Sequence, residues 1–251
     1  MTECIEQRIS ERFEILDILT RSAIVGDCRG LIISGAPGVG KSYGVEKILR
    51  DYDPEGEVYE IVKGFTRATG LLKLLYKYRH EGNVLVFDDC DSSFSDEVAL
   101  NLLKSVTDTT KRRVVSWLAE SNMIDDETYE KIPRHFEFNG SVIVLTNLDF
   151  ETMVEKGHKL SPHLEALMSR SHYLDLSMRT REDYLVRIRQ VIRNGLLSDL
   201  TPEARADVIT FIERNYQVMR ELSIRACVKL TNLRIASDSW EKIARITCLK
   251  G

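Results

Sequence analysis

The first residues with a recognisable chemistry follow the pattern GxxxxGK(S/T), which fits the chain from Gly35 to Ser42. The glycines of such a loop let the backbone bend round a phosphate, so that N–H groups and the next helix N-terminus face the anion. Lys41 would reach the β and γ phosphates, and Ser42 would ligate Mg²⁺. The alternative is a glycine-rich turn that happens to precede Lys-Ser. The pattern predicts a nucleoside triphosphate site made of Gly35, Ala36, Pro37, Gly38, Val39, Gly40, Lys41, Ser42 and Tyr43.

Two carboxylates, Asp88 and Asp89, follow the apolar run 84–87. Ligands bind at the carboxyl edge of an open parallel sheet, so these acids are expected beside the phosphate loop. Asp88 is the predicted Mg²⁺ residue, through water, because Mg²⁺ favours few carboxylates and keeps much of its hydration. Asp89 would orient and deprotonate the attacking water. The alternative is that one or both acids only cap a buried strand.

An amide, Asn147, ends the next strongly apolar run, 142–146. A neutral amide next to the γ phosphate can hold the attacking water without adding charge. By itself, an Asn at the end of a strand is usually a turn former. Its place in the chain, after the acidic strand, favours the functional interpretation.

The elements that must position these residues alternate between strand and helix. Apolar runs predict strands at 31–33, 58–62, 84–87, 141–145 and 173–176, and helical spacing predicts helices at 71–78 and 98–106, after a helical lead-in at 1–28. This alternation predicts an α/β fold, a five-stranded parallel sheet covered by helices on both faces. From about residue 180 the strand signal disappears and three or four helices follow. The expected domains are a nucleotide-binding core, 1–179, and a helical lid, 180–251.

Composition limits the class of protein. The chain has 251 residues, 43% of them apolar, which is enough for a substantial core. Its apolar runs are too short to cross a bilayer, and its five scattered cysteines lack metal-ligand spacing, so we expect a cytoplasmic protein with no membrane partner. The formal net charge of −4 excludes a global positive field, although a local basic groove stays open.

The order of the phosphate loop (35–42), the acidic strand (84–89) and the Asn-ending strand (142–147) resembles that of the AAA+ ATPases. The resemblance implies ATP and Mg²⁺ as ligands and a C-terminal helical lid over a five-stranded parallel sheet. Two segments, FDDCDSSFSDEVALNLLKSV and HLEALMSRSHYLDL, are similar to compact single-module AAA+ ATPases of tailed bacteriophages. That similarity implies a location in the cytoplasm of a bacterial host.

Two arginines take roles by the same resemblance. Leu-Met-Ser-Arg-Ser at 167–171 looks like the arginine-finger motif of clamp-loader-like members, which implies that Arg170 reaches a neighbouring subunit. Arg225 looks like the sensor-2 arginine of the lid. The alternatives are that Arg170 caps the helix beginning near 161–162 and that Arg225 is solvated. A donated finger needs a heterologous contact, so a homo-oligomer is expected, most simply a hexameric ring or a spiral.

One residue departs from the family pattern. The family usually has Glu after the first acid of the strand, whereas this chain has Asp89, which is one methylene shorter. A displacement of about 1 Å at a catalytic group costs roughly a hundredfold in rate. We therefore expect slow hydrolysis without a partner. Asp91, on the following loop, is a weaker candidate for assisting the site.

Two basic segments are candidate substrate loops. The first contains Lys63, Phe65 and Arg67, and the second contains Lys111, Arg112 and Arg113. Residues 111–117 are expected to pair with 136–140 as a β-hairpin. Cations with an interleaved aromatic suit a nucleic-acid strand, and an aromatic on a pore loop also grips polypeptide. A solvated charge run is the alternative.

These features favour an ATP-driven motor or loader acting on DNA, or on a protein bound to DNA, in replication or recombination. The chain length leaves no room for a further DNA-reading domain beside core and lid, so specificity is expected from loops or a partner. A protein-remodelling ATPase and an ATP-gated scaffold with little hydrolysis are the alternatives.

Overall fold

The structure, a computed structural model, describes residues 2–64, 67–91, 94, 96–118, 123–198 and 200–251. Its strands are β1 (Gly30–Ser34), β2 (Tyr59–Lys63), β3 (Val84–Asp88), β4 (Val114–Ser116), β5 (His135–Glu137), β6 (Ser141–Thr146) and β7 (His172–Asp175). Its helices are α1 (Thr2–Ile24), α2 (Lys41–Tyr52), α3 (Ala68–Lys77), α4 (Glu97–Val106), α5 (Phe150–Glu155), α6 (Ser161–Met168), α7 (Arg181–Arg193), α8 (Pro202–Asn215), α9 (Ile224–Ala236) and α10 (Trp240–Cys248). The five predicted strands are all observed within one residue of their predicted bounds.

Five of the strands form one parallel sheet in the order β2-β3-β6-β1-β7. The register places Asp88 beside Leu145 and Ser34 beside Thr146, so the carboxyl ends of β1, β3 and β6 share one edge. All residues of these three central strands are buried, as expected for a sheet covered on both faces. The predicted α/β fold with a five-stranded parallel sheet is confirmed.

Alternate side chains of the central strands pack on opposite faces of the sheet, because successive residues of a strand point in opposite directions. One face belongs to a large core cluster shared with α3, α4 and α6; its strand members include Ile32, Leu85, Phe87, Val142 and Val144. The intervening residues are equally buried; they include Leu31, Ile33, Val86, Ile143 and Leu145. This double burial fixes the strands that carry the polar residues at the sheet edge.

A smaller antiparallel sheet joins β4 and β5, with Val115 opposite Phe136. The predicted pairing of 111–117 with 136–140 is confirmed for 114–115 with 136–137, and the observed ribbon continues to Ser116 opposite His135, one residue before the predicted second segment. Val115 and Phe136 are buried, whereas their neighbours on both strands are exposed, which is the alternation of a half-buried ribbon.

Residue contacts divide the chain into two compact units. The sheet unit comprises Arg12–Gly35 and Lys41–Asp175, and the helical unit comprises the described residues of Met1–Glu11, Ala36–Gly40 and Leu176–Gly251. The helical unit has its own apolar core, which includes Phe211, Cys227, Leu230 and Trp240. The expected domain boundary at 179/180 stays a prediction; the observed units differ from it by grouping 36–40 and the start of α1 with the C-terminal helices. No helix in the described ranges is long and apolar enough to cross a membrane.

Candidate active site

Three side chains at the sheet edge form a continuous hydrogen-bonded chain. Lys41, the first residue of α2, donates from Nζ to Oδ1 of Asn147 at 2.9 Å. Asn147, directly after β6, donates from Nδ2 to Oδ1 of Asp89 at 2.6 Å. The amide therefore joins a cation to an anion, and each end of the amide has a matched partner. The strands and the start of α2 bring together three residues that are far apart in sequence.

A hydroxyl and a carboxylate form a second pair at this edge. Ser42 donates from Oγ to Oδ1 of Asp88 at 2.9 Å. The Ser42 hydroxyl and the Asp88 carboxylate are two oxygen ligands, which fits the preference of Mg²⁺ for few protein ligands. Lys63, at the end of β2, places Nζ 3.9 Å from the other carboxylate oxygen of Asp88.

Asp88 is 6% exposed. Burial raises the pKa of this carboxyl above its ordinary value, while the Ser42 hydrogen bond lowers it and the neighbouring Asp89 raises it. A raised folded-state pKa means that the stability contributed by Asp88 is lost as pH rises through that pKa, because the ionised form is the disfavoured one. A bound cation would favour the ionised carboxylate and so oppose the effect of burial.

Asp89 is exposed and lies in an unusual backbone conformation. Its φ is +54°, in the left-handed region that few residues other than glycine adopt. Its backbone N–H donates to the carbonyl oxygen of Leu145 at 3.2 Å. This bond to β6 holds the turn after β3 against the strand that leads to Asn147.

Asp91 hydrogen-bonds the end of β6 and the backbone of Asn147. It accepts from Oγ1 of Thr146 at 2.6 Å and from the backbone N–H of Asn147 at 3.4 Å. Oγ1 of Thr146 in turn accepts from the backbone N–H of Leu148 at 3.0 Å. These bonds fix the end of β6. Asp91 was predicted only as a weaker candidate for assisting the site, and no pattern in the sequence indicates its contact with Thr146.

The residues of the phosphate loop that belong to the helical unit are held through their backbone. Gly38 and Gly40 have φ values of +76° and +105°, which favour glycine. The carbonyl oxygen of Gly38 accepts from the N–H of Ile224 at 2.9 Å, and that of Val39 accepts from Nε of Arg187 at 3.2 Å. Arg187 was not predicted. Arg225 is exposed, and its Cγ lies 3.8 Å from the position that a Cβ on Gly38 would take.

The contacts of Arg170 and the exposure of Tyr43 do not test the roles predicted for these two residues. Arg170 donates from Nη1 to the carbonyl oxygen of Ala166 at 2.7 Å, and its Nε lies 3.5 Å from Oδ2 of Asp108. Both side chains of the Arg170–Asp108 pair are about one-third exposed. Tyr43, on the first turn of α2, is 53% exposed. The finger role of Arg170 and the ligand contact of Tyr43 stay predictions.

Arg113 requires a correction. It was predicted to contact substrate, but its side chain is buried and donates from Nη1 to the carbonyl oxygen of Val106 at 2.6 Å. Its guanidinium lies 5.4 Å from the ring centre of Phe138. Burial lowers the pKa of Arg113 to about 10. Arg113 therefore stabilises the end of α4 and is not available to a substrate.

The other cations of the two predicted loops are exposed. They are Lys63, Arg67, Lys111 and Arg112. Nζ of Lys63 also lies 3.8 Å from Oε2 of Glu46. Arg112, just before β4, forms an ion pair with Glu137 of β5. Phe65 lies outside the described residues.

The fold and its polar edge define the class: an α/β protein whose parallel sheet carries a phosphate-loop sequence between β1 and α2. No protein-family model matches the chain. A phage T4 protein, described as "Uncharacterized 36.7 kDa protein in nrdC-mobD intergenic region", is 36% identical over 247 residues, which is 96% of this chain and 75% of the phage protein. The chain belongs to the family of this phage T4 protein. A similar solved structure is domain III of the replication initiation protein DnaA from Thermotoga maritima, with a TM-score of 0.49, 14% identity, and coverage of 94% of this chain and 85% of that one.

Proposed function

We propose that this chain is an AAA+ ATPase that hydrolyses ATP with Mg²⁺. The observation that carries the proposal is the joined Lys41–Asn147–Asp89 chain at the same sheet edge as the Ser42–Asp88 pair. A cation, a polar amide, an exposed carboxylate and a metal-binding oxygen pair are the groups that phosphoryl transfer to water requires.

Each residue has a defined task in this proposal. Lys41 binds the phosphates by charge, and Ser42 with Asp88 would hold Mg²⁺, which supplies positive charge to phosphate oxygens. Asp89 accepts the proton of the attacking water. Asn147 keeps Asp89 in place, because its Nδ2 donates to that carboxylate while its Oδ1 is held by Lys41.

Replacing Asp89 with asparagine is expected to lower turnover by about a hundredfold, because the base that takes the proton is lost. ATP affinity should change little, since Asp89 is not a predicted phosphate or metal ligand. Phosphate release would be measured with Mg²⁺ and with excess EDTA, and wild-type turnover is expected to be slow. The matched control is Asp126→Asn, an exposed acid paired with Lys73.

Two results would contradict the proposal. One is wild-type protein that binds no ATP and releases no phosphate in Mg²⁺. The other is Asp89→Asn protein that keeps wild-type turnover while Asp126→Asn behaves identically. Wild-type turnover in the tens per second would instead contradict the expectation that the short acid makes hydrolysis slow.

We also infer that the protein forms a homo-oligomer, a hexameric ring or spiral, in which Arg170 completes a neighbouring site and Arg225 senses the nucleotide. The motif at 167–171 supports the first role, and the closeness of Arg225 to Gly38 supports the second. ATP would strengthen the subunit contact and hydrolysis would loosen it, which couples the chemistry to movement of the loops.

For the substrate, we propose DNA, contacted by the exposed cations Lys111 and Arg112 and by Lys63 and Arg67. Binding of labelled single- and double-stranded DNA should fall steeply as salt rises from about 50 mM, because phosphate contacts release counterions. Reversing charge at Lys111 and Arg112 to Glu should weaken binding about tenfold or more. Reversal at the exposed Lys242 and Lys250 is the control. The absence of DNA binding at low salt, with and without an ATP analogue, would remove this proposal and favour polypeptide as the substrate.

A further inference from the structure

Two consecutive carbonyl groups of the phosphate loop are bound by helices near the C-terminus. The carbonyl of Gly38 accepts from the N–H of Ile224, the first residue of α9, at 2.9 Å. The carbonyl of Val39 accepts from Nε of Arg187, in the middle of α7, at 3.2 Å. All four residues belong to the helical unit.

Peptide geometry converts these bonds into control of the loop's donors. In a planar trans peptide the C=O of one residue and the N–H of the next point in opposite directions. Fixing the carbonyls of Gly38 and Val39 therefore fixes the N–H directions of Val39 and Gly40. Because both glycines are otherwise free to populate many conformations, an outside partner is needed to select one.

Gly38 and Gly40 are also required because residues of α7 and of the N-cap of α9 lie very close to the loop. A Cβ on Gly38 would lie 2.7 Å from Cβ of Ser223, the N-cap residue of α9. A Cβ on Gly40 would lie 3.2 Å from Nη2 of Arg187. The guanidinium thus donates to the carbonyl of Val39 and fills the space that a side chain on Gly40 would need.

Arg187 is presented by a well-anchored helix. Asp183, Arg187 and Gln190 are spaced four and three residues apart, which places them on one face of α7. Oδ1 of Asp183 accepts a hydrogen bond from Nη2 of Arg8 at 2.8 Å, and Nε2 of Gln190 donates to Oγ of Ser10 at 3.0 Å. These part-buried polar bonds on both sides of Arg187 hold α7, so the position of the guanidinium is set before any ligand binds.

We propose that Arg187 is a positioning residue of the phosphate loop: it orients the N–H groups that face the triphosphate and couples their occupancy to α7. The proposal rests on the proposed nucleotide site. Thermodynamic coupling is reciprocal. If the position of α7 strengthens phosphate binding by some free energy, bound phosphate must stabilise α7 by the same free energy.

Replacing Arg187 with methionine removes the donor and keeps an apolar stem of similar length. We expect the affinity for ATP and for ADP, measured by titration with fluorescent analogues, to fall about tenfold. Arg187→Lys should recover part of the loss, because an ammonium can still donate to the Val39 carbonyl. Arg189→Met is the matched control, since Arg189 lies on the same helix but pairs with Glu213.

Amide hydrogen exchange gives a readout that a purely structural role would not move. In wild-type protein, ATP should slow exchange both in the phosphate loop and in α7. In Arg187→Met at saturating ATP, protection should persist in the loop and be lost in α7. If this variant does not fold, the wild-type experiment decides: protection in the loop with unchanged exchange in α7 overturns the proposal.

The outcomes separate this inference from the function on which it rests. Wild-type protein that binds neither nucleotide overturns both. Wild-type protein that binds ATP, with equal affinity in Arg187→Met, overturns only the role of Arg187. A loss in Arg189→Met equal to that in Arg187→Met would also overturn it, because the effect would then come from α7 as a whole.

Discussion

Replacing Lys41 with methionine is expected to weaken ATP binding by about a hundredfold or more and to remove hydrolysis. Lys41 is 5% exposed, and its ammonium is bonded to Asn147. Methionine keeps the apolar stem but removes the charge that neutralises phosphate and the donor that holds the amide. Binding would be measured by calorimetric titration, and turnover by phosphate release.

Lys47→Met is the control for this substitution, because Lys47 is an exposed lysine on the same helix. It should bind ATP as the wild-type protein does. If Lys41→Met bound ATP with wild-type affinity, the loop at 35–42 would not be a phosphate site, and the proposed function would fail with it.

Replacing Arg170 with alanine is expected to lower turnover by about a thousandfold or more, because a forked guanidinium stabilises charge on the transferred phosphoryl group. Binding of ATP should change little if the arginine acts on a neighbour's nucleotide. Mixing Arg170→Ala with Lys41→Met protein should restore part of the activity, since the second protein still donates Arg170 to intact loops of the first.

Asp108→Ala controls for the contacts of Arg170 within one chain. It removes the carboxylate that lies 3.5 Å from the guanidinium and leaves the arginine in place. This variant should keep most of the turnover. Equal losses in both variants, or mixtures that stay inactive, would show that Arg170 acts only on the stability of its own protomer. Activity that is unchanged on extreme dilution would contradict a shared site.

The sheet was predictable because its strands are short apolar runs that end in polar residues. Val84 to Asp88 and Ser141 to Thr146 are buried throughout, and such runs cannot be amphipathic helices of similar length. The hydrophobic periodicity does not predict the order of the strands in the sheet, because that order depends on contacts between segments far apart in sequence. The same holds for the division into units, in which residues 36–40 group with helices that begin 140 or more residues later.

The candidate site was predictable where a motif or a strand end marks the residue, as for Lys41, Asp88 and Asn147. Arg187 lacks such a mark: α7 reads REDYLVRIRQVIR, and its spacing does not say which arginine contacts a loop. Arg113 was misjudged for a related reason. A cation before a short strand normally stays solvated, and its burial here depends on a helix-terminal carbonyl and an aromatic ring brought by other segments.

The main-chain conformation of residue 89 gives a physical reason for the shortened acid. Aspartate accepts a positive φ more readily than glutamate, because its compact side chain can hydrogen-bond to nearby backbone. Glutamate at position 89 would carry its carboxylate further from the backbone, but the positive φ at this position disfavours it. The slow hydrolysis that we propose for this chain would then follow from the backbone conformation directly after β3. A partner that changes this conformation would change the rate of hydrolysis.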